Sequence, residues 1–162
     1  MGFSLVFNVN AMLIGPFDRH KHDLDAVLGL LAVSTGPATL ERLQKLIDEF
    51  YNLDGHTLYV ASQNDVISGI IGVDCIAKPR GVITHIAVLP DRRMKGIGRN
   101  LISHVVKTLG LTKIEAETDQ EAADFYHACG FESKEIESKW PGVRRFRCVK
   151  IVDNLGNVAR GV

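Results

Sequence analysis

The sequence predicts an α/β protein whose elements follow the order β-α-α-β-β-β-α-β-α-β-β. Two periodicities predict it, because side chains repeat every 2 residues along a strand and about every 3.6 residues along a helix. A third observation is a glycine-containing loop, residues 93–98, which joins a strongly apolar run to a helical pattern. Since 162 residues suit one domain with a substantial core, we expect a single domain over residues 1–162.

The N-terminal half begins with a strand predicted within residues 3–14. There Leu5, Phe7 and Val9 recur at every second position, the period of a strand. Apolar residues then recur at helical spacing, and Pro37 is well placed to begin the second of two helices. The later elements predicted in this half are helices over residues 24–31 and 37–50, and strands over residues 57–62 and 66–76 joined by a tight hairpin turn at residues 63–65.

The C-terminal half contains the loop and the elements around it. Residues 82–88 are apolar on both faces, which predicts a central strand covered on each side. The helix after the loop has Gly110 as a natural C-terminal cap. The remaining predicted elements are this helix over residues 97–109, a strand over 114–118, a helix over 121–129, and strands over 131–136 and 145–152.

Charge and composition exclude several function classes. The formal net charge is zero, so no global field favours nucleic acid or an anionic membrane. No segment approaches the roughly 20 apolar residues of a membrane-spanning helix, and the N-terminal apolar segment indicates a strand rather than a signal peptide. Cys75, Cys129 and Cys148 lack the spacing of metal ligands. We expect a soluble cytoplasmic protein with reduced thiols, no metal, no nucleic-acid partner and no membrane association.

The loop at residues 93–98 has the chemistry of a phosphate site. Unpaired backbone N–H groups in a first helical turn and the positive end of the helix dipole attract a pyrophosphate. Gly96 and Gly98 lack the Cβ atoms that would hold a ligand away from the backbone, while Arg93, Lys95 and Arg99 add positive charge. The alternative is an ordinary glycine-containing turn with a solvated basic face. The preceding strand and following helix favour the phosphate site.

The position of the loop argues against two common phosphate-binding folds. A Rossmann unit has its glycine loop after the first strand and carries a third glycine, whereas this loop follows the fourth predicted strand. A P-loop requires a Gly-Lys-Ser/Thr sequence, which is absent.

Two motifs resemble those of the GNAT N-acetyltransferase superfamily. The superfamily pattern Gln/Arg-x-x-Gly-x-Gly/Ala after a strand matches residues 93–98 without substitution. Its second pattern, Asn-x-x-Ala-x-x-Phe-Tyr followed by Gly-Phe, matches residues 119–126 and 130–131, with Asp119 in place of the first asparagine. The resemblance implies a mixed, mostly antiparallel central sheet of about seven strands with helices on both faces.

The resemblance also implies acetyl-CoA as the co-substrate. Backbone N–H groups of the loop would hold the pyrophosphate, the main chain around Ile86 and Val88 would pair with the pantetheine arm, and a bulge near Ala87 would splay this strand from the next. The residues that this resemblance and the loop chemistry assign to the cofactor are Ile86, Ala87, Val88, Arg93, Met94, Lys95, Gly96, Ile97, Gly98, Arg99, Asp119 and Tyr126.

Catalysis needs a proton donor for the leaving thiolate and, for some amines, a base. Tyr126 occupies the position of the superfamily's general acid; its alternative is a core tyrosine. Relatives often carry a base at positions matching Val82 or Thr84, and neither residue here can act as one. His85 is adjacent to Thr84 and is a further candidate for the base. Strand alternation would place it on the face opposite Thr84, which favours the alternative of a packed or hydrogen-bonded histidine.

Glu117 is the better carboxylate candidate, because an unpaired charge on a short central strand would be costly; its alternative is a salt bridge. Asp119 either polarises a bound water or caps the following helix. A third alternative is that no base is needed, if the amine has a low pKa or a water chain carries the proton.

The amine acceptor is expected to meet the first two helices and the final hairpin. Arg144 and Arg145 are candidates for binding a carboxylate on the acceptor, with Trp140 beside them; the alternative is a solvated hairpin turn with Trp140 packed at its base or in a subunit contact. Two function classes stay open: an acetyltransferase acting on a primary amine of a small molecule, peptide or protein, and a non-catalytic acyl-CoA-binding regulatory module. A homodimer is one alternative for the oligomeric state.

Overall fold

A computed structural model describes residues 11–153 as a seven-stranded sheet with α-helices on both of its faces. The strand order is β1-β2-β3-β4-β5-β7-β6, and every neighbouring pair is antiparallel except β4 and β5, which are parallel. The predicted fold class and element order are therefore confirmed. The elements are β1 Leu13–Pro16, α1 Leu24–Thr35, α2 Leu40–Asp48, β2 His56–Gln63, β3 Val66–Asp74, β4 Arg80–Val88, α3 Ile97–Leu109, β5 Lys113–Asp119, α4 Gln120–Ala128, β6 Glu132–Ile136 and β7 Arg145–Ile151, with short 3₁₀ turns at Phe50–Asn52 and Pro90–Arg92.

The predicted boundaries differ from the observed ones mainly at the N-terminus. The alternating residues Leu5, Phe7 and Val9 lie outside the described part of the chain. β1 comprises the last two residues of the predicted segment, followed by Gly15 and Pro16. The β2–β3 hairpin turns at Asn64 and Asp65, which both have positive φ. Two such residues match the twist of the flanking strands, so asparagine and aspartate are suited to this turn.

The sheet separates two hydrophobic cores. One core packs α3 and α4 against the sheet and includes Leu101, Val105 and Ile114, whereas the other packs α1 and α2 and includes Leu31 and Ile70. A sheet that is covered on both faces needs apolar side chains on both. That requirement explains why apolar side chains of β4 point to both faces.

β4 and β5 pair only where both strands begin. Their register runs from Arg80 opposite Lys113 to Val82 opposite Glu115, and no pairing follows within the described strands. The two strands therefore diverge and leave an opening in the sheet. None of the helices over residues 11–153 is long and apolar enough to cross a membrane.

A β-bulge lies at Thr84, not near Ala87 as expected. Gly72 pairs with His85 and the adjacent Val73 pairs with Ile83, so Thr84 is the extra residue of β4. An extra residue interrupts the alternation of side chains between the two faces. Thr84 and His85 consequently point to the same face, and the prediction that they lie on opposite faces is wrong.

Candidate active site

The loop between β4 and α3 exposes an uncapped helix N-terminus. Side chains of Asp23, Thr39 and Asp119 cap α1, α2 and α4, whereas the N-cap of α3 is Gly96, which has no side chain to cap the helix. Gly96 has φ +79° and Met94, also at positive φ, is fully exposed. The first N–H groups of α3 are thus available to an anion, in the field of the helix dipole.

The second glycine of the loop is also required by packing. A Cβ atom at Gly98 would lie 2.8 Å from Cζ of Phe125 and 3.8 Å from a methyl carbon of Val88. The aromatic ring of α4 therefore packs against the first turn of α3. This contact joins the two sequence motifs, and motif spacing alone does not reveal it.

The basic residues of the loop differ in what they contact. Arg93 donates a hydrogen bond from Nε to the carbonyl of Val88 at 3.3 Å, so its side chain lies against the end of β4. Lys95 is exposed on the loop. Arg99 donates to the carbonyl of Ala128 at 2.6 Å and so binds the C-terminal end of α4. The sequence position of Arg99 predicts contact with the cofactor, whereas its hydrogen bond in the described part of the chain is to α4.

The expected pantetheine positions lie beside this loop. Ile86 and Val88 are partly buried against the α3–α4 core, and Ala87 is buried in the α1–α2 core. All three belong to the part of β4 that has left β5, so its edge toward β5 is not paired with that strand. An extended ligand can add to such an edge as a strand does.

Tyr126 lies on the α3–α4 side of the sheet and is 4% exposed. Its ring centroid is 5.2 Å from those of Phe125 and Phe131 in edge-to-face geometry. Burial raises the pKa of its hydroxyl, with smaller contributions from Cys148 and Cys129. The phenol is therefore neutral near pH 7 and retains a proton that it can donate.

Two carboxylates predicted for the site have structural partners. Asp119 accepts a hydrogen bond from the backbone N–H of Ala122 at 2.9 Å and is the N-cap of α4, so the capping alternative is confirmed. Glu117 accepts from Arg147 at 2.9 Å, and both side chains are half exposed. The expectation of a costly buried charge at Glu117 is wrong, because its salt bridge lies at the surface.

Arg144 and Arg145, in the hairpin between β6 and β7, contact other residues of the same hairpin. Arg144 donates twice to the carboxylate of Glu135, at 2.9 Å each, and Arg145 lies over the ring of Trp140 at 5.5 Å. Trp140 is 58% exposed. These contacts match the alternative of a solvated hairpin turn, because both guanidinium groups already contact side chains of the hairpin.

Sequence reasoning missed a cluster around Tyr51. The Tyr51 hydroxyl lies 2.8 Å from Oγ1 of Thr84 and also contacts Nδ1 of His85. Phe50 stacks edge-to-face against the rings of Tyr51 and His85. Tyr51 is 33 residues from Thr84 and 34 from His85, so no local pattern indicates the contact. Burial lowers the pKa of His85.

A groove of about 690 Å³ lies where β4 and β5 part. Glu115, which the sequence did not single out, is on its floor with a side chain 11% exposed, and it pairs with Arg80 and, at 3.8 Å, with Lys113. Its hydrogen bond to Arg80 lowers the pKa of the Glu115 carboxyl. The groove is lined by Arg80, Val82, Ile83, Thr84, Lys113, Glu115, Ala116, Glu117, Arg147 and Val149.

Comparisons with known proteins agree with this geometry. Residues 54–133 match a family described as an acetyltransferase (GNAT) domain. Over 85 residues the chain is 27% identical to an uncharacterised N-acetyltransferase of the lysA 3′ region of Bacillus methanolicus, an alignment that covers 52% of this chain and 71% of that protein.

Solved structures share the fold over most of the chain. An aminoglycoside 6′-N-acetyltransferase complexed with coenzyme A superimposes with a TM-score of 0.74 at 17% identity, covering 87% of this chain and 97% of that one. The ribosomal-protein-S18-alanine N-acetyltransferase of Escherichia coli gives 0.70 at 16% identity, covering 88% and 95%. Because the family match includes both sequence motifs and the fold agrees, the chain belongs to the GNAT superfamily of acetyl-CoA-dependent N-acetyltransferases.

Proposed function

We propose that the protein transfers an acetyl group from acetyl-CoA to a primary amine of a small molecule, peptide or protein, by direct attack of the amine on the thioester. One observation carries the proposal: the uncapped N-terminus of α3 adjoins the strand that diverges from β5. An anion site and an open strand edge are thereby adjacent. The pyrophosphate and pantetheine of one acetyl-CoA molecule need these two features side by side.

Donor binding follows from the loop and from β4. N–H groups of residues 96–99 would hold the pyrophosphate, and Arg93 and Lys95 would supply positive charge. The main chain of residues 86–88 would align the pantetheine arm. The similarity to an aminoglycoside acetyltransferase solved with coenzyme A supports this arrangement.

Tyr126 is the general acid in this proposal. When the amine nitrogen attacks, the C–N bond forms, the C–S bond breaks and the thiolate of coenzyme A leaves. A neutral phenol beside the sulfur donates a hydrogen bond to the developing thiolate and then its proton. The Tyr126 hydroxyl forms no hydrogen bond with residues 11–153, so its proton is not committed elsewhere.

A non-catalytic acyl-CoA-binding module is the second candidate function. Val82 and Thr84, which occupy the superfamily's usual base positions on β4, offer neither a carboxylate nor an imidazole. A protein without a base would still bind the donor. This observation favours the module only if no other side chain takes the proton of the amine.

Two measurements separate these functions. Thiol release from acetyl-CoA is followed across a panel of primary amines, and the shift in melting temperature on adding coenzyme A is recorded in parallel. We expect both stabilisation and amine-dependent thiol release. Stabilisation without release on any amine would support the module, and the absence of both would contradict donor binding altogether.

A further inference from the structure

The β-bulge of β4 assembles a hydrogen-bonded group that the proposed reaction has not yet used. Because Thr84 is the extra residue, Thr84 and His85 point to the same face, and the Tyr51 hydroxyl contacts both. Opposite them on β3, Gly72 has no side chain, and a Cβ atom there would overlap the Tyr51 hydroxyl. The phenol therefore occupies space that exists only because residue 72 is glycine.

The protons of this group can be arranged in two directions. A phenol donates one hydrogen bond, so Tyr51 donates either to Thr84 or to His85. If Tyr51 donates to Thr84, Nδ1 of His85 carries a proton and donates to the phenol oxygen, which leaves Nε2 with a free lone pair. If Tyr51 donates to His85, the neutral ring carries its proton on Nε2 and has no lone pair to offer.

Only the first direction suits a residue that gains and loses protons. An imidazolium carries protons on both nitrogens, so its Nδ1 must donate to Tyr51. With Tyr51 already donating to Thr84, protonation of Nε2 changes no hydrogen bond in the group. In the opposite direction, Tyr51 and Thr84 would both have to reverse their hydroxyl groups at each turnover.

The free nitrogen of His85 is accessible. Within residues 11–153 the one buried side-chain nitrogen without a hydrogen-bond partner is Nδ1 of His56. Nε2 of His85 forms no hydrogen bond in that part of the chain and is not among the buried atoms, so it reaches solvent.

The position of His85 suits proton transfer from the amine. It follows Thr84, which lines the groove, and lies three residues beyond Val82, the last residue of β4 paired with β5. Tyr126 belongs to the α3–α4 core, whereas His85 faces Tyr51, which packs on the α1–α2 core. The two groups thus approach the opening between β4 and β5 from opposite faces of the sheet.

We propose that His85 is the general base of the acetyl transfer and that Tyr51 is a positioning residue, which holds His85 with its proton on Nδ1 and its lone pair on Nε2. The proposal rests on the proposed function. As the C–N bond forms, the nitrogen of the attacking amine loses a proton to Nε2. The C–S bond breaks, the thiolate takes a proton from Tyr126, and solvent returns Tyr126 and His85 to their starting states. The products are an N-acetylated amine and coenzyme A.

The surroundings keep His85 neutral at physiological pH. Tyr51 is the titratable group in contact with it, and burial raises the pKa of that phenol, so it adds no charge. Behind the ring of Phe50 lie His56 of β2 and Asp74 of β3, which pair with each other at 3.6 Å. With the pKa of His85 lowered below its usual value near 6.5, the base is available throughout the neutral range.

A first experiment reads the tautomer without needing an acceptor. Long-range ¹H–¹⁵N correlation spectra are recorded on the whole chain with ¹⁵N-labelled histidine. The signals of the His85 ring are those that disappear in the spectrum of His85→Gln. We expect a proton on Nδ1 and a bare Nε2 in the wild type at pH 7.5, and a mixture of tautomers in Tyr51→Phe. A wild-type ring protonated on Nε2 would overturn the proposal.

A second experiment measures turnover with the best amine of the panel. We expect His85→Gln to lower kcat on the order of 100-fold or more, with the melting shift caused by coenzyme A unchanged. Tyr51→Phe should give a smaller loss. The matched controls are His104→Gln and Tyr59→Phe, which alter an edge-to-face ring pair of α3 and β2 outside the site and should keep kcat.

The outcomes separate this proposal from the proposed function. Wild-type turnover that His85→Gln retains would overturn the base assignment and leave the acetyltransferase function standing. A wild type that releases no thiol with any amine would overturn the proposed function, and the base assignment with it.

Discussion

At the scale of the residue, burial determines what Tyr126 can do. Tyr126 belongs to the α3–α4 core, and burial raises the pKa of its hydroxyl. Its ring packs against Phe125 and Phe131. The ring of such a tyrosine can stabilise the core while its hydroxyl takes part in the reaction. The ring and the hydroxyl must therefore be tested separately.

Replacing Tyr126 with phenylalanine separates these roles. The ring and its packing are preserved, while the proton donor is lost. We expect kcat to fall on the order of 100-fold and the melting temperature to change little, because the hydroxyl has no protein partner among the described residues. Steady-state kinetics and thermal unfolding provide the measurements. An unchanged kcat would leave Tyr126 as a core residue.

His85 shows where the alternation of side chains along a strand fails to predict the face on which a residue lies. Strict alternation places His85 on the wrong face, because β4 contains one extra residue at Thr84. Nothing in the apolar run of residues 82–88 marks that residue. The bulge is visible only in the pairing of β4 with Gly72 and Val73 of β3.

At the scale of the element, the two motifs act as one packed unit. The first turn of α3 and the aromatic residues of α4 touch at Gly98 and Phe125, and Arg99 binds the carbonyl of Ala128 at the other end of α4. The loop at residues 93–98 is therefore positioned by α4 as well as by β4. The N-cap Asp119 determines where α4 begins.

Replacing Gly98 with alanine tests this contact. The added methyl group would meet the rigid ring of Phe125 at 2.8 Å, so α3 or α4 must shift. We expect a lower melting temperature and weaker binding of coenzyme A, measured by calorimetry. Gly110→Ala is a control glycine change, since its Cβ would meet nothing within 4 Å although its positive φ adds strain away from the loop. If Phe125→Leu in the same chain failed to restore binding, the packing explanation would be wrong.

At the scale of the whole molecule, the divergence of β4 and β5 divides the sheet. Strands β1 to β4 lie on one side of the opening, and β2, β3 and β4 contribute to the α1–α2 core, whereas β5, β7 and β6 continue on the other side. The groove beside the opening carries paired charges of both signs, such as Glu117 with Arg147. Donor and acceptor would meet across this opening in the proposed reaction.

Binding of coenzyme A should therefore protect a specific part of the sheet. If the pantetheine adds to the free edge of β4, hydrogen exchange should slow at those amides of residues 83–88 that do not pair with β3, and at residues 96–99. Amides of the β6–β7 hairpin serve as an internal control and should keep their rates. Exchange measured by mass spectrometry with and without coenzyme A checks this. Stabilisation without protection of β4 would contradict the binding geometry.

The sequence by itself determined the order of the elements, the superfamily and the loop for which donor binding is proposed. These depend on local patterns: two periodicities, the glycines at 96 and 98, and the motif that ends in Phe125 and Tyr126. Only the tertiary structure decided which side chains meet around the bulge of β4. It places Thr84, His85 and Tyr51 together through a one-residue bulge and a missing side chain at Gly72, and it pairs Glu117 with Arg147 at the surface. The physical reason is that such contacts join residues far apart in the chain, where no periodicity records which side chains meet.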